Sequence, residues 1–275
     1  MNILLTGAHG NFGTVFCRQA QGTLGLSITP IGRHDWDSID EKLAAASVVV
    51  HAASDLRTPA ALSPTQLLNS NLMSTAALLE ASRNQGIKKF VFLSSCAVYG
   101  EDMTTAETSL CCPISINGIS KHLNEKLIAE FCTANRMGFQ ILRVFNSYGG
   151  RDNFSILSKL KRSLLAHTPF TLNNDGRMLR DFIHIEDVAS IVMRAATTNV
   201  NQTHLNVGTG VATKISCLVA MVKAQFPELV IKPGVSLEAE YSRSDTTELR
   251  QVWTNDFMRI EDYIGSQFKA YVEAP

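Results

Sequence analysis

Apolar residues in the first half of the chain alternate between two patterns. Short apolar runs typical of buried strands occur at Asn2–Thr6, Ser27–Ile31, Ser47–Ala52, Lys89–Ser94 and Phe139–Phe145. Between them, apolar residues three and four positions apart predict amphipathic helices at Thr65–Gln85 and Ile119–Arg136. This alternation predicts an α/β fold, in which a doubly wound parallel sheet carries helices on both faces.

The second half of the chain is more varied. It predicts a helix at Phe154–Ala166, a strand at Asp181–Ile185 and a helix at Glu186–Thr197. We therefore predict a larger domain over residues 1–168 and a smaller carboxy-terminal lobe over 169–275. Part of 181–215 is expected to return to the main sheet.

Composition narrows the class of protein. The 25 basic and 25 acidic residues cancel, so neither a nucleic acid nor a membrane is predicted as a partner. Six cysteines occur without a Cys-x-x-Cys pair or zinc-site spacing, so no metal site is predicted. Reduced thiols, the short run before Gly7 and the absence of a membrane-length apolar stretch predict a soluble protein in the cytoplasm.

A glycine-rich loop follows the first predicted strand and opens a helix. Its spacing over Gly7–Gly13 (GAHGNFG) is G-x-x-G-x-x-G. Glycines there permit a tight turn and let backbone N–H groups approach a pyrophosphate at the positive end of the helix. The loop predicts a dinucleotide-binding domain, with a plain structural turn as the alternative. The loop residues predicted to contact the cofactor are Gly7, Gly10, Asn11, Phe12 and Gly13.

The end of the second strand bears on the choice of cofactor. Arg33 lies at the position where an acidic residue favours NAD and an arginine favours the extra phosphate of NADP. We therefore favour NADP over NAD, although Arg33 as a solvated turn residue is the alternative. Asp35 and Trp36 are predicted to lie beside the adenine.

Several further segments, in order along the chain, resemble one family. They are VVVHAAS (48–54), N-x-x-x-T-x-x-L-L-E-A (71–81), KKFVFLSSCAVYG (88–100), SK-x-x-x-E (120–125), LRVFNSYG (142–149), DGRMLRDFIHIEDVA (175–189), LNVGTG (205–210) and R-x-D (243–245). Together with the loop they are similar to the extended short-chain dehydrogenase/reductases, the NAD-dependent epimerase/dehydratase family. The resemblance implies a Rossmann-type domain over 1–168, a substrate-binding lobe over 169–275 and a nucleotide-sugar substrate.

The resemblance also implies roles for single residues. Ala52, Ala53 and Asn71 match positions that line the cofactor, and Lys121 matches the lysine that holds the nicotinamide ribose. Ser95 matches the residue that hydrogen-bonds the reacting sugar oxygen. Asn146, Arg180 and Arg243 match residues that grip the diphosphate of the substrate.

One position departs from the family pattern. The family has a tyrosine four residues before the lysine, whereas this chain has Asn117, which cannot donate and recover a proton near neutral pH. Three explanations are open: another proton donor (Cys96, Cys111, Cys112 or a water chain), a catalytically silent dinucleotide-binding sensor or scaffold, or an altered residue.

A second departure concerns the type of reaction. Cys96 and Ala97 stand where dehydratases of the family carry an Asp-Glu pair, so an epimerase or ketosugar reductase is favoured over a 4,6-dehydratase. A reductase of a non-sugar carbonyl compound is disfavoured by the three diphosphate-binding residues. The family commonly dimerises through the helices near 65–85 and 119–136, so a homodimer is considered and the oligomeric state stays open.

Other polar residues in these motifs have simpler structural interpretations. Ser94 and Ser95 also suit a strand end, and His51 suits a packed histidine at the end of a buried strand. Asp181 is expected to organise a turn, as are His184 and Asp187. Tyr99 is expected to pack as a wall residue.

Overall fold

The computed structural model describes residues 1–32, 35–55, 63–101, 105–199, 201–237 and 239–273. Six strands form the main sheet in the order β2-β1-β3-β4-β5-β9, and every pair within it is parallel. Their bounds are β1 (Asn2–Thr6), β2 (Ser27–Ile31), β3 (Val48–His51), β4 (Lys89–Ser95), β5 (Gly138–Val144) and β9 (His204–Val207). The strand order reverses at β1, because β2 lies on one side of β1 and β3 on the other. A crevice therefore opens between the carboxyl ends of β1 and β3.

Helices pack on both faces of this sheet and in the smaller body beside it. They are α1 (Asn11–Gln21), α2 (Ile39–Leu43), α3 (Pro64–Leu67), α4 (Ser74–Asn84), α5 (Ile116–Ala134), α6 (Ile156–Leu165), α7 (Ile185–Thr197), α8 (Ile215–Gln225), α9 (Thr247–Val252), α10 (Ile260–Ser266) and α11 (Phe268–Glu273). The predicted doubly wound parallel sheet is confirmed.

The predicted helix over 65–85 is continuous but not uniformly α-helical. It starts at Pro64 because Ser63 and Gln66 form a reciprocal capping box. A π-helical turn, Leu68–Met73, joins α3 to α4. Such turns add one residue to a helical turn and are frequent at functional sites.

Helix α5 begins three residues earlier than the sequence pattern predicts. The Ser115 hydroxyl accepts a hydrogen bond from the Gly118 N–H at 3.1 Å and caps the helix. Asn117 therefore lies in the first turn of α5, one turn before Lys121. The predicted bounds of β1 and β2 match the observed ones, and those of the remaining predicted strands and helices differ by one or two residues.

A second, smaller body packs beside the carboxyl ends of the main strands. It contains β6 (Asn146–Tyr148), β7 (Phe170–Asn173), β8 (Leu179–His184), β10 (Ala212–Lys214), β11 (Ile231–Gly234) and β12 (Tyr241–Ser242). Its apolar core joins α6, α8, α10 and α11. Helix α6 precedes residue 168 but packs into this core, and β9 follows residue 168 but lies in the main sheet. The boundary at residue 168 stays a prediction.

Candidate functional site

The glycine loop closes against the end of β3. Gly7 has a φ of +72°, and a Cβ there would lie 2.8 Å from the Ala53 nitrogen. A Cβ at Gly13 would overlap the Gly7 carbonyl oxygen. Gly10 caps α1 without a side-chain hydrogen bond, and no acidic residue occupies the first turn. The loop thus leaves the positive end of an eleven-residue helix open to an anion.

Two of the predicted loop contacts have other partners in the structure. The Asn11 amide donates to the Gly149 carbonyl at 3.0 Å and accepts from the Arg151 N–H at 2.6 Å, so it ties the loop to the turn after β6. Phe12 packs against the main core, with its ring 5.5 Å from that of Phe16. The contacts of Asn11 and Phe12 with the cofactor stay predictions. The side chain of Asn11 has, in addition, a structural role.

The segment after β3 is held by Asn71 of the π-helical turn. Asn71 is 2% exposed, and its amide accepts from the Asp55 N–H at 2.7 Å and donates to the Asp55 carbonyl at 3.2 Å. Ala52 and Ala53 lie between β3 and this clamp. The structure therefore brings Ala52, Ala53 and Gly7 to one edge of the crevice, with Asn71 behind them.

Three residues after β2 were predicted to select or contact the cofactor, and the structure describes two of them. Arg33 lies outside the described residues. The Asp35 carboxylate accepts from the Gly32 N–H at 2.7 Å and pairs with Lys42 at 2.5 Å, and the hydrogen bond from Lys42 is the main cause that lowers its pKa. Trp36 packs partly buried against the core below β2. The NADP preference and the adenine contacts therefore stay predictions.

Lys121 is buried at the end of β4. Its ammonium donates to the Leu93 carbonyl at 2.7 Å and lies 4.7 Å from the centre of the Phe92 ring. Burial lowers the pKa of Lys121 to about 8, against the opposing effect of Glu125. Among the described residues, Asn117 Oδ1 is buried without a hydrogen-bond partner. A polar ligand at this point would supply the missing donor.

Ser95 and Cys96 form the turn that follows β4. The Ser95 hydroxyl accepts from the Ala97 N–H at 3.2 Å and caps a short 3₁₀ turn, so the capping interpretation describes one of its contacts. A Cβ at Gly118 would overlap the Ala97 carbonyl, so the first turn of α5 lies directly on this turn. The Cys96 thiol is 3.8 Å from the Ser242 hydroxyl, and burial raises its pKa. Cys96 therefore connects the Ser95 turn with the smaller body.

Two of the three predicted diphosphate-binding residues lie on adjoining strands of the smaller body, and the third directly follows a neighbouring strand. Asn146 opens β6 and pairs with Phe182 of β8, whereas Arg180 of β8 pairs with Ser242 of β12. Arg243 directly follows β12. It lines an open cavity of about 400 Å³ with Thr209, Gly210 and residues 244–247. The structure thus brings Asn146, Arg180 and Arg243 together from three distant parts of the sequence.

Asp181 holds these strands to their loops. Its carboxylate accepts from the N–H groups of Thr209, Gly210 and Ser244 at 2.9, 2.9 and 3.0 Å. It also accepts from the hydroxyls of Thr209 and Ser244, both at 2.6 Å. Asp181 is fully buried between Arg180 and the Arg243 loop. Its structural role extends well beyond one turn.

A buried polar network under the site was not predicted from the sequence. Glu125 accepts from Ser94 at 2.5 Å and from Arg143 at 2.8 Å. Arg143 also donates to the Tyr99 hydroxyl, which donates in turn to Asn206 at 2.6 Å. Glu125 belongs to the SK-x-x-x-E motif, and that motif was the available signal. Burial raises the pKa of Tyr99, which is 2% exposed and packed rather than free to exchange protons.

One group of metal-ligand side chains occurs among the described residues. Atoms of Cys111, His122 and Glu125 lie within 4.8 Å of one another. The charge of Glu125 is already balanced by Arg143, which would oppose a cation. The expectation of no metal site stays a prediction. In the part of the chain that the structure describes, no helix combines the length and the hydrophobicity of a membrane span.

Comparison with known proteins identifies relatives. The model of the NAD dependent epimerase/dehydratase family matches residues 3–208. A putative UDP-glucose 4-epimerase of Methanocaldococcus jannaschii is 28% identical over 225 residues, which is 78% of this chain and 71% of that protein. A UDP-glucose 4-epimerase of Rhizobium leguminosarum bv. trifolii is 28% identical over 182 residues, 58% of this chain and 56% of that protein.

Solved structures agree on the fold. MoeE5 in complex with UDP-glucuronic acid and NAD has a TM-score of 0.88 at 25% identity, over 100% of both chains. The UDP-glucose 4-epimerase of Thermus thermophilus in complex with NAD has a TM-score of 0.89 at 21% identity, also over 100% of both chains.

Proposed function

Because this chain belongs to the NAD-dependent epimerase/dehydratase family, we propose that it is an NAD(P)-dependent epimerase or ketosugar reductase. Its substrate would be a nucleotide-activated sugar, and its proton donor would be atypical. The observation that carries the proposal is that Cys96, the neighbour of Ser95 at the end of β4, contacts Ser242, which pairs with Arg180 and directly precedes Arg243.

The residues around the crevice fit a dinucleotide. Gly7 and Gly13 leave no room for a Cβ, and the uncapped start of α1 offers backbone N–H groups to a pyrophosphate. Lys121 would hold the nicotinamide ribose. The bound cofactor would supply or take up a hydride at the sugar carbon. Titration of NADP against NAD, in the wild type and in Arg33→Ala, tests the NADP preference.

The substrate would place its diphosphate between Arg180 and Arg243. A guanidinium forms paired, charge-assisted hydrogen bonds with phosphate oxygens. The Asn146 amide donates to the Asp181 carbonyl at 2.9 Å, so it would act from the wall of this pocket. The UDP-sugar ligand of MoeE5 and the UDP-glucose 4-epimerases among the relatives support a sugar nucleotide as the substrate.

Cys96 is the best-placed candidate for the proton donor. It adjoins Ser95 in the chain and contacts Ser242 of β12, the residue before Arg243. Cys111, in contrast, lies beside His122 and Glu125, and Cys112 is exposed. Burial raises the pKa of the Cys96 thiol, so the thiol keeps its proton at neutral pH.

The protonated thiol favours reduction over epimerisation. With reduced NAD(P) supplying the hydride for a new C–H bond at the carbonyl carbon of a ketosugar, the carbonyl oxygen would take the Cys96 proton and become a hydroxyl. The thiolate would recover its proton from water. Ser95 would orient that oxygen by a hydrogen bond. In the opposite direction, the oxidation of a sugar hydroxyl, Cys96 would first have to accept a proton. A protonated thiol is a poor base.

Turnover assays with matched variants test this proposal. Cys96→Ala should lower kcat by about two to four orders of magnitude without changing the NAD(P) dissociation constant. Cys111→Ala is the control and should retain activity. Equal activity in the two variants would exclude Cys96 as the donor. If the wild type binds NAD(P) but converts no sugar nucleotide, and Asn117→Tyr creates turnover, the catalytically silent alternative is supported instead.

A homodimer is part of the proposal. Leu68 and Met73 are 43% and 59% exposed on the π-helical turn, and Ile119 and Leu123 are 41% and 42% exposed on α5. These four side chains would provide the apolar residues that a contact through both helices requires.

A further inference from the structure

His51 lies inside a chain of hydrogen bonds at the centre of the cofactor crevice. It ends β3, pairs in register with Thr6 of β1 and Phe92 of β4, and is 1% exposed. Its Nδ1 is 2.6 Å from the Thr6 hydroxyl, and its Nε2 is 2.9 Å from the Thr75 hydroxyl. Both ring nitrogens are therefore engaged.

The neighbouring contacts determine the direction of each hydrogen bond. The Thr75 hydroxyl donates its single proton to the Asn71 carbonyl at 2.7 Å, so it must accept from His51 Nε2–H. The Thr6 hydroxyl accepts from the Ala53 N–H at 3.2 Å and keeps its proton for His51 Nδ1.

The His51 imidazole in this hydrogen-bond chain is neutral. Burial is the main cause that lowers the pKa of His51 to about 3, and the positive charge of Lys121 adds to it. The rings of Phe90 and Phe92 pack at 5.9 and 5.6 Å from the imidazole centre and bring no compensating charge. A neutral imidazole carries one donor and one acceptor, which are the two groups that this position needs.

The two ends of the hydrogen-bond chain belong to different parts of the site. At one end are Thr6, which precedes the Gly7 turn, and the backbone of Ala53. At the other end is the Asn71 carbonyl, which also accepts from the Asn124 amide at 3.2 Å. Asn124 lies on α5, one turn after Lys121, and is 3% exposed.

We infer that His51 is a positioning residue: as a neutral Nε2–H tautomer it joins the phosphate loop to the lysine-bearing helix through one directed hydrogen-bond chain. The inference rests on the proposed cofactor site. An apolar side chain at this position would leave the Thr6 hydroxyl proton without an acceptor and the Thr75 hydroxyl oxygen without a donor. A charged one would face Lys121 in a buried site.

The tautomer is measured first, by nitrogen NMR of protein labelled at histidine. Loss of signals in His51→Gln assigns the resonances. We expect a protonated Nε2, an unprotonated Nδ1 and no titration between pH 5 and 8. An Nδ1–H tautomer, or titration in that range, would overturn the inference.

The positioning role is measured by cofactor binding. Thr75→Val removes the hydroxyl and keeps the shape, and we expect the NAD(P) dissociation constant to rise roughly fivefold, as for one lost buried hydrogen bond. Ser82→Ala is the matched control on the same helix. Its hydroxyl is also buried and has no partner among the described residues, so the dissociation constant should not change. Equal dissociation constants in the two variants would refute the positioning role.

Neither measurement requires a sugar nucleotide. If the wild type binds no dinucleotide, the inference fails together with the proposed cofactor site. If it binds NAD(P) and shows both expected results but converts no sugar nucleotide, only the proposed reaction fails. Circular dichroism of each variant verifies that it is folded.

Discussion

Replacing His51 with glutamine should remove a large part of the pH dependence of stability. The pKa of His51 is lowered from 6.5 to about 3 in the folded protein. Between these values the unfolded chain binds a proton that the folded chain does not. The neutral histidine therefore contributes its full stability above pH 6.5, and this contribution is lost as the pH falls toward 3.

The magnitude follows from this difference in pKa. One unit corresponds to about 1.4 kcal/mol, so lowering the pH from 7 to 5 should reduce the free energy of unfolding by about 2 kcal/mol through His51 alone. Other titrating groups change stability over the same range. Their effects cancel when the wild type and His51→Gln are compared at both pH values, because glutamine is neutral and can also donate and accept.

Urea denaturation at pH 7 and pH 5 provides the measurement, with the two tryptophans as the fluorescent reporters. The wild type should lose about 2 kcal/mol more than His51→Gln on acidification. Ser82→Ala serves as the control for a change in a buried polar side chain and should follow the wild type. Equal losses in the wild type and His51→Gln would refute the assignment of a buried, neutral His51.

Three other predictions concern packing, binding and assembly. Arg143→Met should lower the free energy of unfolding by about 3–5 kcal/mol, because Glu125 is left as an unpaired buried charge; adding Glu125→Leu should recover part of this loss in urea denaturation. Asp181→Asn should raise KM for the sugar nucleotide on the order of tenfold with unchanged NAD(P) affinity, because an amide cannot accept all the loop hydrogen bonds. An unchanged KM would contradict that role. Leu123→Glu should give a monomer in sedimentation while Leu24→Glu, at a fully exposed turn, leaves the assembly unchanged; a wild-type monomer would exclude the dimer.

Local sequence patterns accounted for most of the fold. Short apolar runs and helical periodicity predicted the strands β1–β5 and the main helices, because each of these signals lies within one element. The boundary errors had local causes. The cap at Ser115 moved the start of α5 toward Asn117, and the π-helical turn interrupted a helix that periodicity alone describes as uniform.

Motifs predicted the members of the candidate site but not all of their contacts. The positions of Gly7, Ser95 and Lys121 follow from short segments at strand ends or on one helix. The pattern at Asn117 indicated a changed proton donor, yet several cysteines remained possible from sequence alone. We proposed Cys96 because the packing of β12 beside the turn after β4 brings Ser242 to its thiol, a contact that the sequence does not show.

The contacts between distant segments were decided by the tertiary structure. From the sequence, His51 was interpreted only as a packed histidine. Its hydrogen-bond partners Thr6 and Thr75 are 45 and 24 residues away, so no local pattern indicates them. Asp181 likewise receives hydrogen bonds from loops 28 and 63 residues further along the chain. The sequence by itself determined the elements and the residue types at the crevice, since both depend on neighbours in the chain. Tautomer, charge state and contact partners depend on burial and on atoms brought together by folding, and so only the three-dimensional structure decided them.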